Sequence, residues 1–238
     1  MVVDAVSYED LTVFAVALYR ALAAGKRFVY RSAASLVRVI AGIDAQPLLT
    51  RTDMVDAAAS QGGLVIVGSY TQKTTAQLEH LLKRGDVTTV ECHVERILEG
   101  ADAFDAEISR CQAAVDASLK AHPVTVCFTS RALLKQEGEY RETTLQRSAA
   151  ISNGISRIVA GLSQPPAFLI AKGGITSSDV ATKGLHIQKA RVLGQVEPGI
   201  PVWQASPESH FPGLIYVIFP GNTGDALTLR HAVETLLG

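Results

Sequence analysis

The sequence has little that would hold the chain together covalently or anchor it in a membrane. It contains three cysteines, Cys92, Cys111 and Cys127, with no CxxC pair among them, which argues against a disulfide framework and against a zinc cluster. This cysteine usage fits a reducing cytoplasm. No uncharged apolar run reaches about 18 residues, and the N-terminal segment is acidic where a signal peptide is basic. We therefore expect a cytoplasmic protein that does not cross a membrane.

The sequence also lacks an excess of positive charge. Its 22 Lys+Arg residues and 23 Asp+Glu residues give a formal net charge of -1. Because no global basic field attracts nucleic acid or an anionic membrane, we expect neither as a partner, and local geometry has to hold any anionic ligand. With 47% hydrophobic and 19% charged residues over 238 positions, the composition is that of a globular protein with a substantial core.

Short β-branched runs alternate with longer amphipathic stretches along the chain. The predicted strands are MVVDAV, RFVYR, LVIVG, VTTVECHV, VTVCFTS, FLIA, ARVLGQV and LIYVIF. The predicted helices cover residues 8–24, 32–40, 74–83, 102–121, 142–162 and 224–236, with loops through Gly138 and around residues 198–201. Because apolar strands alternate with helices, we predict a three-layer α/β fold, in which helices cover both faces of a largely parallel sheet.

The alternation is interrupted between Gln46 and Gly63. This segment contains Pro47 and ends in a pair of glycines, a composition typical of connectors. We therefore predict a boundary here, with one region at residues 1–62 and a second domain at residues 63–238.

Three apolar strands are each followed by a turn of small residues and then by a helix. The segments are LVIVGSYTQKTTAQL, FLIAKGGITSSDV and YVIFPGNTGDAL. The carboxyl ends of parallel strands lie at one edge of the sheet, where α/β proteins bind ligands, so we expect the turns to meet there. Gly173 and Gly174 would leave main-chain N–H groups facing open space, and a helix predicted to begin near Thr176 would add its own. Such an arrangement binds anions.

Each turn also has an interpretation without a ligand. Thr74 with Gln77, and Thr176 with Asp179, have the spacing of a helix capping box, and turn chemistry alone accounts for the third segment. Spacing leaves both capping and anion binding open. Trp203 likewise either stacks on an adenine or packs its loop. The nucleotide fingerprints GxxxxGK[ST] and GxGxxG are absent from the sequence, which excludes the common nucleotide loops.

Six segments in order over nearly the whole chain are similar to the four-carbon acid sugar kinase family. They are VVDAVSYEDL, RFVYRSAASLVR, LVIVGSYTQKTTAQLEHLL, AKGGITSSDVATKGL, GQVEPGIPVW and FPGNTGD. Members of this family have two domains and use ATP to phosphorylate the terminal hydroxyl of sugar acids such as erythronate, threonate or 3-oxo-tetronate. The chain resembles the end of the substrate-binding region over residues 1–62 and the nucleotide-binding domain over residues 63–238.

The resemblance implies roles for individual residues. The residues that it places against ATP are Ser69, Gly173, Gly174, Ile175, Thr176 and Gly221. Phosphoryl transfer would also need Mg²⁺. Arg31 would face the carboxylate of the sugar acid, whereas the resemblance assigns neither a catalytic base nor a metal ligand. Departures from the usual family pattern at Ile175, Asp179 and Pro220 leave the substrate subtype and the metal ligands open.

The resemblance implies two alternative functions. In the first, the chain is the ATP-binding portion of a sugar-acid kinase that binds ATP but has little or no turnover by itself, because the N-terminal substrate segment of the family has no counterpart in it. In the second, it is the nucleotide-binding module of a split or degenerate kinase that works with a partner chain. A homo-oligomer is compatible with both. A third interpretation is an α/β protein that binds another phosphorylated ligand.

Overall fold

The computed structural model describes residues 2–55, 61–131 and 141–238. Part of the predicted connector and the predicted loop through Gly138 lie outside these ranges. The chain divides into two units, Met1–Pro47 and Leu48–Gly238. The boundary predicted at residue 62 stays a prediction. Among the described helices, none is long and apolar enough to cross a bilayer.

The first unit has two helices in its described residues. Helix α1 spans Tyr8–Ala23 and helix α2 spans Ala34–Ile40, within two residues of the predicted ranges. A capping box begins α1, because Ser7 Oγ accepts a hydrogen bond from the Asp10 N–H (3.2 Å) and the Asp10 carboxylate accepts one from the Ser7 N–H (3.1 Å).

The strands predicted in MVVDAV and RFVYR are wrong. Residues 2–5 and 26–33 are neither helix nor strand. A strand forms only where a neighbour pairs with its N–H and C=O groups, and no described segment of the first unit does so. Their apolar side chains are consequently exposed, Val6 by 99% and Val29 by 103% of the reference area. Together with the two helices, these segments line an apolar groove of about 760 Å³.

The second unit is built on one sheet, which has seven strands in the described residues. The strands are β1 (Gly63–Val67), β2 (Val87–Cys92), β3 (Val124–Thr129), β4 (Leu169–Lys172), β5 (Ala190–Glu197), β6 (Ile200–Ala205) and β7 (Ile215–Phe219). Their order is β2-β3-β1-β4-β7-β6-β5. Neighbours from β2 to β7 pair in parallel, and the last two pairs are antiparallel.

Helices cover both faces of this sheet. They are α3 (Arg51–Met54), α4 (Gln72–Leu82), α5 (Ala101–Ala121), α6 (Arg141–Ala160), α7 (Gly174–Asp179) and α8 (Thr228–Leu237), with a 3₁₀ turn at Val94–Glu99 and a π-helical turn at Val180–Gly184. Because side chains alternate along a strand, Leu64 and Ile66 of β1 pack with α5 and α6, whereas Val65 and Val67 pack with α4 and α8. The predicted three-layer α/β fold is confirmed.

Two boundaries near the C-terminus differ from the predictions. The loop predicted around residues 198–201 is a tight hairpin turn, and β6 begins directly after it at Ile200. Its two prolines suggest a loop, but pairing with β5 and β7 overrides that local preference. Helix α8 begins at Thr228 rather than at residue 224, because the Asp225 carboxylate accepts hydrogen bonds from the Leu227 and Thr228 N–H groups and caps the helix there.

The three cysteines are free and buried in one apolar cluster. The sulfur atoms of Cys92 and Cys111 and a carboxylate oxygen of Glu107 lie within 4.8 Å of one another. However, the Glu107 carboxylate already accepts hydrogen bonds from Arg110 (2.7 and 2.8 Å) and from the His93 N–H (2.8 Å). The Arg110 guanidinium lowers the pKa of Glu107 to about 2. This ion pair accounts for the buried carboxylate without a metal ion.

Replacing Leu64 tests whether β1 is buried in the core. Leu64 is fully buried, so Leu64→Ala should lower the free energy of unfolding by about 2–5 kcal/mol. The matched control is Leu145→Ala, because Leu145 on α6 is 60% exposed and its truncation should change stability by less than about 0.5 kcal/mol. Urea unfolding followed by circular dichroism measures both. Equal effects at the two positions would contradict the burial of β1 in the core.

Candidate functional site

Three turns meet at the edge of the sheet where β1, β4 and β7 end. The first turn is residues 68–71, the second is residues 173–174, and the third is residues 220–225. A Cβ atom placed on Gly221 would lie 3.8 Å from Ser69 Oγ and 4.0 Å from the Gly173 Cα atom. The turns therefore converge, as the parallel sheet led us to expect.

The backbones approach so closely that glycine is required at two positions. A Cβ atom on Gly68 would lie 2.3 Å from Thr176 Oγ1, well inside van der Waals contact. Gly173 has φ +119°, a left-handed conformation that L side chains rarely adopt, and a Cβ atom there would lie 3.1 Å from the Ser69 Cβ atom. These glycines thus bring the first and second turns into direct contact.

Helix α4 begins earlier than the predicted capping box placed it. Its N-cap is Thr71, whose Oγ1 accepts a hydrogen bond from the Thr74 N–H at 3.3 Å. The prediction that Thr74 and Gln77 form the cap is therefore wrong. Thr74 is buried inside the helix, and its hydroxyl donates to Ser69 Oγ at 3.2 Å and lies 3.5 Å from the Gly221 carbonyl oxygen.

Two further side chains of α4 hold the third turn in place. Gln77 is fully buried, and its Nε2 donates to the carbonyl oxygens of Thr223 (3.0 Å) and Asp225 (2.6 Å). Lys73 Nζ donates to the carbonyl oxygens of residues 222 and 224, at 3.1 and 3.0 Å. One helix thus supplies the donors for four backbone acceptors of this turn.

Lys172, the last residue of β4, is a buried cation directly beneath the turns. Its side chain is fully buried, and its Nζ donates to the carbonyl oxygens of Pro220 (2.7 Å) and Gly221 (3.2 Å). The same nitrogen lies 4.3 Å from the centre of the Phe219 ring. Burial, and secondarily the nearby Lys73 ammonium, lowers the pKa of Lys172 to about 8.

The helix after the second turn also begins earlier than predicted. Helix α7 starts at Gly174 with Gly173 as its N-cap, so the predicted start near Thr176 and the predicted capping box of Thr176 with Asp179 are wrong. The left-handed Gly173 lets the chain enter the helix at once. The Asp179 carboxylate instead accepts hydrogen bonds from Ser152 Oγ (2.5 Å) and pairs with Lys183 (3.0 Å).

The second turn opens to solvent on its outer side. A Cβ atom on Gly174 would meet no atom within 4 Å, and Ile175 is 73% exposed. The first main-chain hydrogen bond of α7 runs from the Ser177 N–H to the Gly173 carbonyl at 2.8 Å. The N–H groups of residues 174–176 precede it and have no acceptor within the helix. The arrangement offers open main-chain donors beside a buried cation, which suits an anion.

A cavity of about 470 Å³ adjoins the second turn. Its lining includes Gly174, Ser178, Ile187, Val192 and Trp203. Trp203 also packs on the core, with its ring centre 6.5 Å from that of Tyr216. Trp203 thus lies on strand β6 and packs on strand β7 rather than on a loop, and the alternative of stacking on an adenine stays a prediction.

The structure brings most of the predicted site residues together. Ser69, Gly173, Thr176 and Gly221 lie at the contact of the three turns, and Gly174 with Ile175 forms its open side. Arg31 belongs to the first unit, where it is exposed and lines the apolar groove.

Sequence reasoning missed the side chains that support the turns. Sequence patterns assign Gln77 to a helix capping box, place Lys73 just before the predicted helix, and give Arg131 no role. Arg131 is half-buried behind the first turn, where it donates to the carbonyl oxygen of Ser69 at 2.6 Å, and burial lowers its pKa. Lys172 carried the clearest signal, because a lysine that ends an apolar strand must find acceptors within the fold.

A family model described as "Nucleotide-binding C-terminal domain" matches residues 64–229. The chain belongs to this family. All three turns lie within the matched range, so the site sits in a nucleotide-binding domain. No curated protein matches the chain.

Solved structures with the same fold include proteins from three bacteria. A Salmonella typhimurium LT2 protein with the provisional name tRNA synthase has a TM-score of 0.64 and 20% identity, over 96% of this chain and 51% of that one. A Haemophilus influenzae protein has a TM-score of 0.62 and 19% identity, and the match covers 98% of this chain and 52% of that one. A Bordetella bronchiseptica protein has a TM-score of 0.55 and 19% identity, and the match covers 98% of this chain and 52% of that one. Its structure is described as a domain-swapped dimer with bound citrate.

These comparisons place the chain among longer relatives. At such identities the structural likeness shows the fold, and the chain spans about half the length of the structures that it matches. The Haemophilus and Bordetella proteins are members of the four-carbon acid sugar kinase family. The resemblance seen in the sequence is confirmed.

Truncating Gln77 tests whether α4 holds the third turn. Gln77→Ala removes the donor for the carbonyl oxygens of Thr223 and Asp225, and should lower the free energy of unfolding by about 1–3 kcal/mol. Gln72→Ala is the control, because Gln72 is exposed on the same helix and its loss should cost less than about 0.5 kcal/mol. Denaturant titration of both variants makes the comparison. A Gln77 variant as stable as the control would refute this role.

Proposed function

We propose that the chain is the ATP-binding portion of a four-carbon sugar-acid kinase. Such an enzyme transfers the γ-phosphoryl group of ATP to the terminal hydroxyl of erythronate, threonate, 3-oxo-tetronate or a related sugar acid. The observation that carries the proposal is the convergence of three turns at one sheet edge inside the range that matches a nucleotide-binding family, residues 64–229.

In this proposal the phosphates of ATP bind at the second turn. The free N–H groups of residues 174–176 would donate to the phosphate oxygens, and the Ser69 and Thr176 hydroxyls stand beside them. Lys73 and Lys172 add positive charge at the third turn, and among the described residues no carboxylate bonds to either ammonium. Phosphoryl transfer needs positioned donors and positive charge of this kind rather than a covalent nucleophile.

The adenine ring would occupy the cavity beside Gly174. Its volume of about 470 Å³ and its apolar wall of Ile187, Val192 and Trp203 suit a flat heteroaromatic ring. The cavity adjoins the second turn directly, so a nucleotide with its base here has its phosphates at the open N–H groups.

Two carboxylates among the described residues near the turns, those of Asp179 and Asp225, are already engaged. The Asp179 carboxylate is bound to Ser152 and Lys183, and the Asp225 carboxylate caps helix α8. We therefore assign no metal ligand to this chain, although phosphoryl transfer from ATP generally uses Mg²⁺ held by the phosphates themselves.

The sugar acid would need more protein than this chain supplies. The chain covers about half of its longer relatives, and the first unit leaves apolar segments around Val6 and Val29 exposed. We propose that another polypeptide segment, in the same protein or in a partner chain, completes the substrate site together with Arg31. A domain-swapped dimer such as that of the Bordetella protein is one way to bring the segments together.

A second candidate function is the nucleotide-binding module of a split or degenerate kinase, with no activity of its own. The chain covers only about half of the matched structures, and this observation supports the second candidate as well as it supports the first. In both cases we propose a cytoplasmic location on the cysteine usage of the chain.

A charge placed in the second turn tests nucleotide binding. Gly174 has room for a side chain, so Gly174→Asp should fold normally, yet its carboxylate would repel phosphate and weaken ATP binding at least about tenfold. Gly174→Asn is the matched control, with the same shape and no charge, and should retain most of the affinity. Calorimetric titration with ATP and Mg²⁺ compares the parent and both variants. A folded parent that binds no ATP, or equal affinities for all three, would refute the site.

Turnover distinguishes the two candidate functions. The chain alone should bind ATP with little or no phosphorylation of erythronate, threonate or 3-oxo-tetronate. Addition of a polypeptide that carries the remaining half of a full-length relative should restore ADP release for the kinase portion, and Arg31→Ala should reduce that rate. ATP binding without turnover under both conditions would favour the degenerate module.

A further inference from the structure

Lys172 combines three structural features at the base of the second turn. It is fully buried, it immediately precedes the left-handed Gly173, and its ammonium is held by the carbonyl oxygens of Pro220 and Gly221. Gly221 is the residue of the third turn that lies against Ser69 and Gly173. A single side chain thus joins the base of the second turn to the third turn.

Among the described residues, no charged group of the surrounding elements is a counter-ion for this ammonium. From α4, Lys73 faces the same turn and repels it. Behind the first turn, Arg131 is a second cation, whereas Asp179 of α7 is occupied by Ser152 and Lys183. At the end of the third turn, the Asp225 carboxylate faces the N–H groups that begin α8. Within the described ranges, carbonyl oxygens and an aromatic ring are its partners.

We propose that Lys172 is a positioning residue whose positive charge holds the third turn against the second turn and thereby sets the affinity for nucleotide phosphates. The inference rests on the proposed function, because it concerns the same site. Hydrogen bonds from an ammonium to a carbonyl are roughly twice as strong as those from a neutral amine. Loss of the proton therefore loosens the turn at Gly221 and also removes a positive charge next to the phosphate position.

This role makes nucleotide binding depend on pH in a range that is easy to measure. Burial lowers the pKa of Lys172 to about 8. The protonated form binds phosphate more tightly, so affinity is highest below pH 8 and falls as the pH rises through this value. By linkage, bound nucleotide must in turn raise the pKa of Lys172.

The contribution of Lys172 to stability has the opposite pH dependence. The pKa of an unfolded lysine is about 10.4, so between about pH 8 and 10 the unfolded chain binds the extra proton. Over this interval, the contribution of Lys172 to the free energy of unfolding therefore increases with pH. Alkaline loosening of the whole protein would lower stability and affinity together, whereas titration of Lys172 lowers affinity alone.

The test is the dissociation constant for Mg²⁺-ATP, measured by calorimetry from about pH 7 to about pH 9.5, where the terminal phosphate is fully ionised. The parent should lose about tenfold in affinity across this range. Lys172→Arg keeps its charge and should show a flat profile. Lys172→Met should bind weakly at every pH, also with a flat profile. The control Lys120→Met removes an exposed lysine of α5 and should reproduce the parental profile.

A second measurement covers the case in which a substitution at this buried position prevents folding. In the parent protein with isotope-labelled lysines, NMR should resolve one lysine that titrates near pH 8. Addition of Mg²⁺-ATP should move that titration upward by about one pH unit, which corresponds to the tenfold change in affinity. The signal of Lys120, the exposed control lysine on α5, should not change when Mg²⁺-ATP is added.

Three results would overturn the proposal. They are a parental profile that is flat, a Lys172→Met variant that keeps the alkaline loss of affinity, and a lysine titration that nucleotide leaves unchanged. In each of them ATP still binds, so the proposed function survives. If the folded parent binds no ATP at any pH, the proposed function itself fails, and this inference fails with it.

Discussion

The close approach of three backbone turns is the constraint on which the site depends. The order β1-β4-β7 places the turns side by side, and at Gly68 and Gly173 the gap between the first two turns admits no further side-chain atom. Such packing exposes main-chain N–H groups to a ligand, but it also crowds carbonyl oxygens that need donors. The rest of the site is the set of side chains that supply those donors.

Those donors explain why α4 and the end of β4 carry buried polar groups. Gln77, Lys73 and Lys172 donate to backbone oxygens of the third turn, and Arg131 donates to the first. Three of these four side chains are cationic, although the net charge of the chain is -1. The requirement for donors thus also concentrates positive charge at one edge of the sheet. Under the proposed function, the same cationic side chains both support the turns and attract the phosphates.

A feature can be predicted from the sequence when neighbouring residues determine it, and is missed when residues far apart in the sequence determine it. Apolar periodicity predicts strands such as β1 and helices such as α5, because burial dominates there. It fails for RFVYR, where a strand needs a partner that the described part of the first unit lacks, and for β6, where distant pairing outweighs two prolines. The turns are predicted correctly from the small residues that follow the apolar strands. The contacts of Gln77 with residues 223 and 225 span a sequence separation that no local pattern reveals.

The two units differ in the amount of apolar surface that they bury. The second unit packs both faces of its sheet, so its turns have a rigid base before any ligand arrives. In the first unit, Ala15 and Leu18 are the buried apolar side chains among the described residues, while Val6 and Val29 remain exposed. A site for nucleotide can therefore be preorganised by the second unit alone. Under the proposed function, a substrate site that includes Arg31 uses additional protein beside the first unit, so nucleotide binding should be separable from substrate binding.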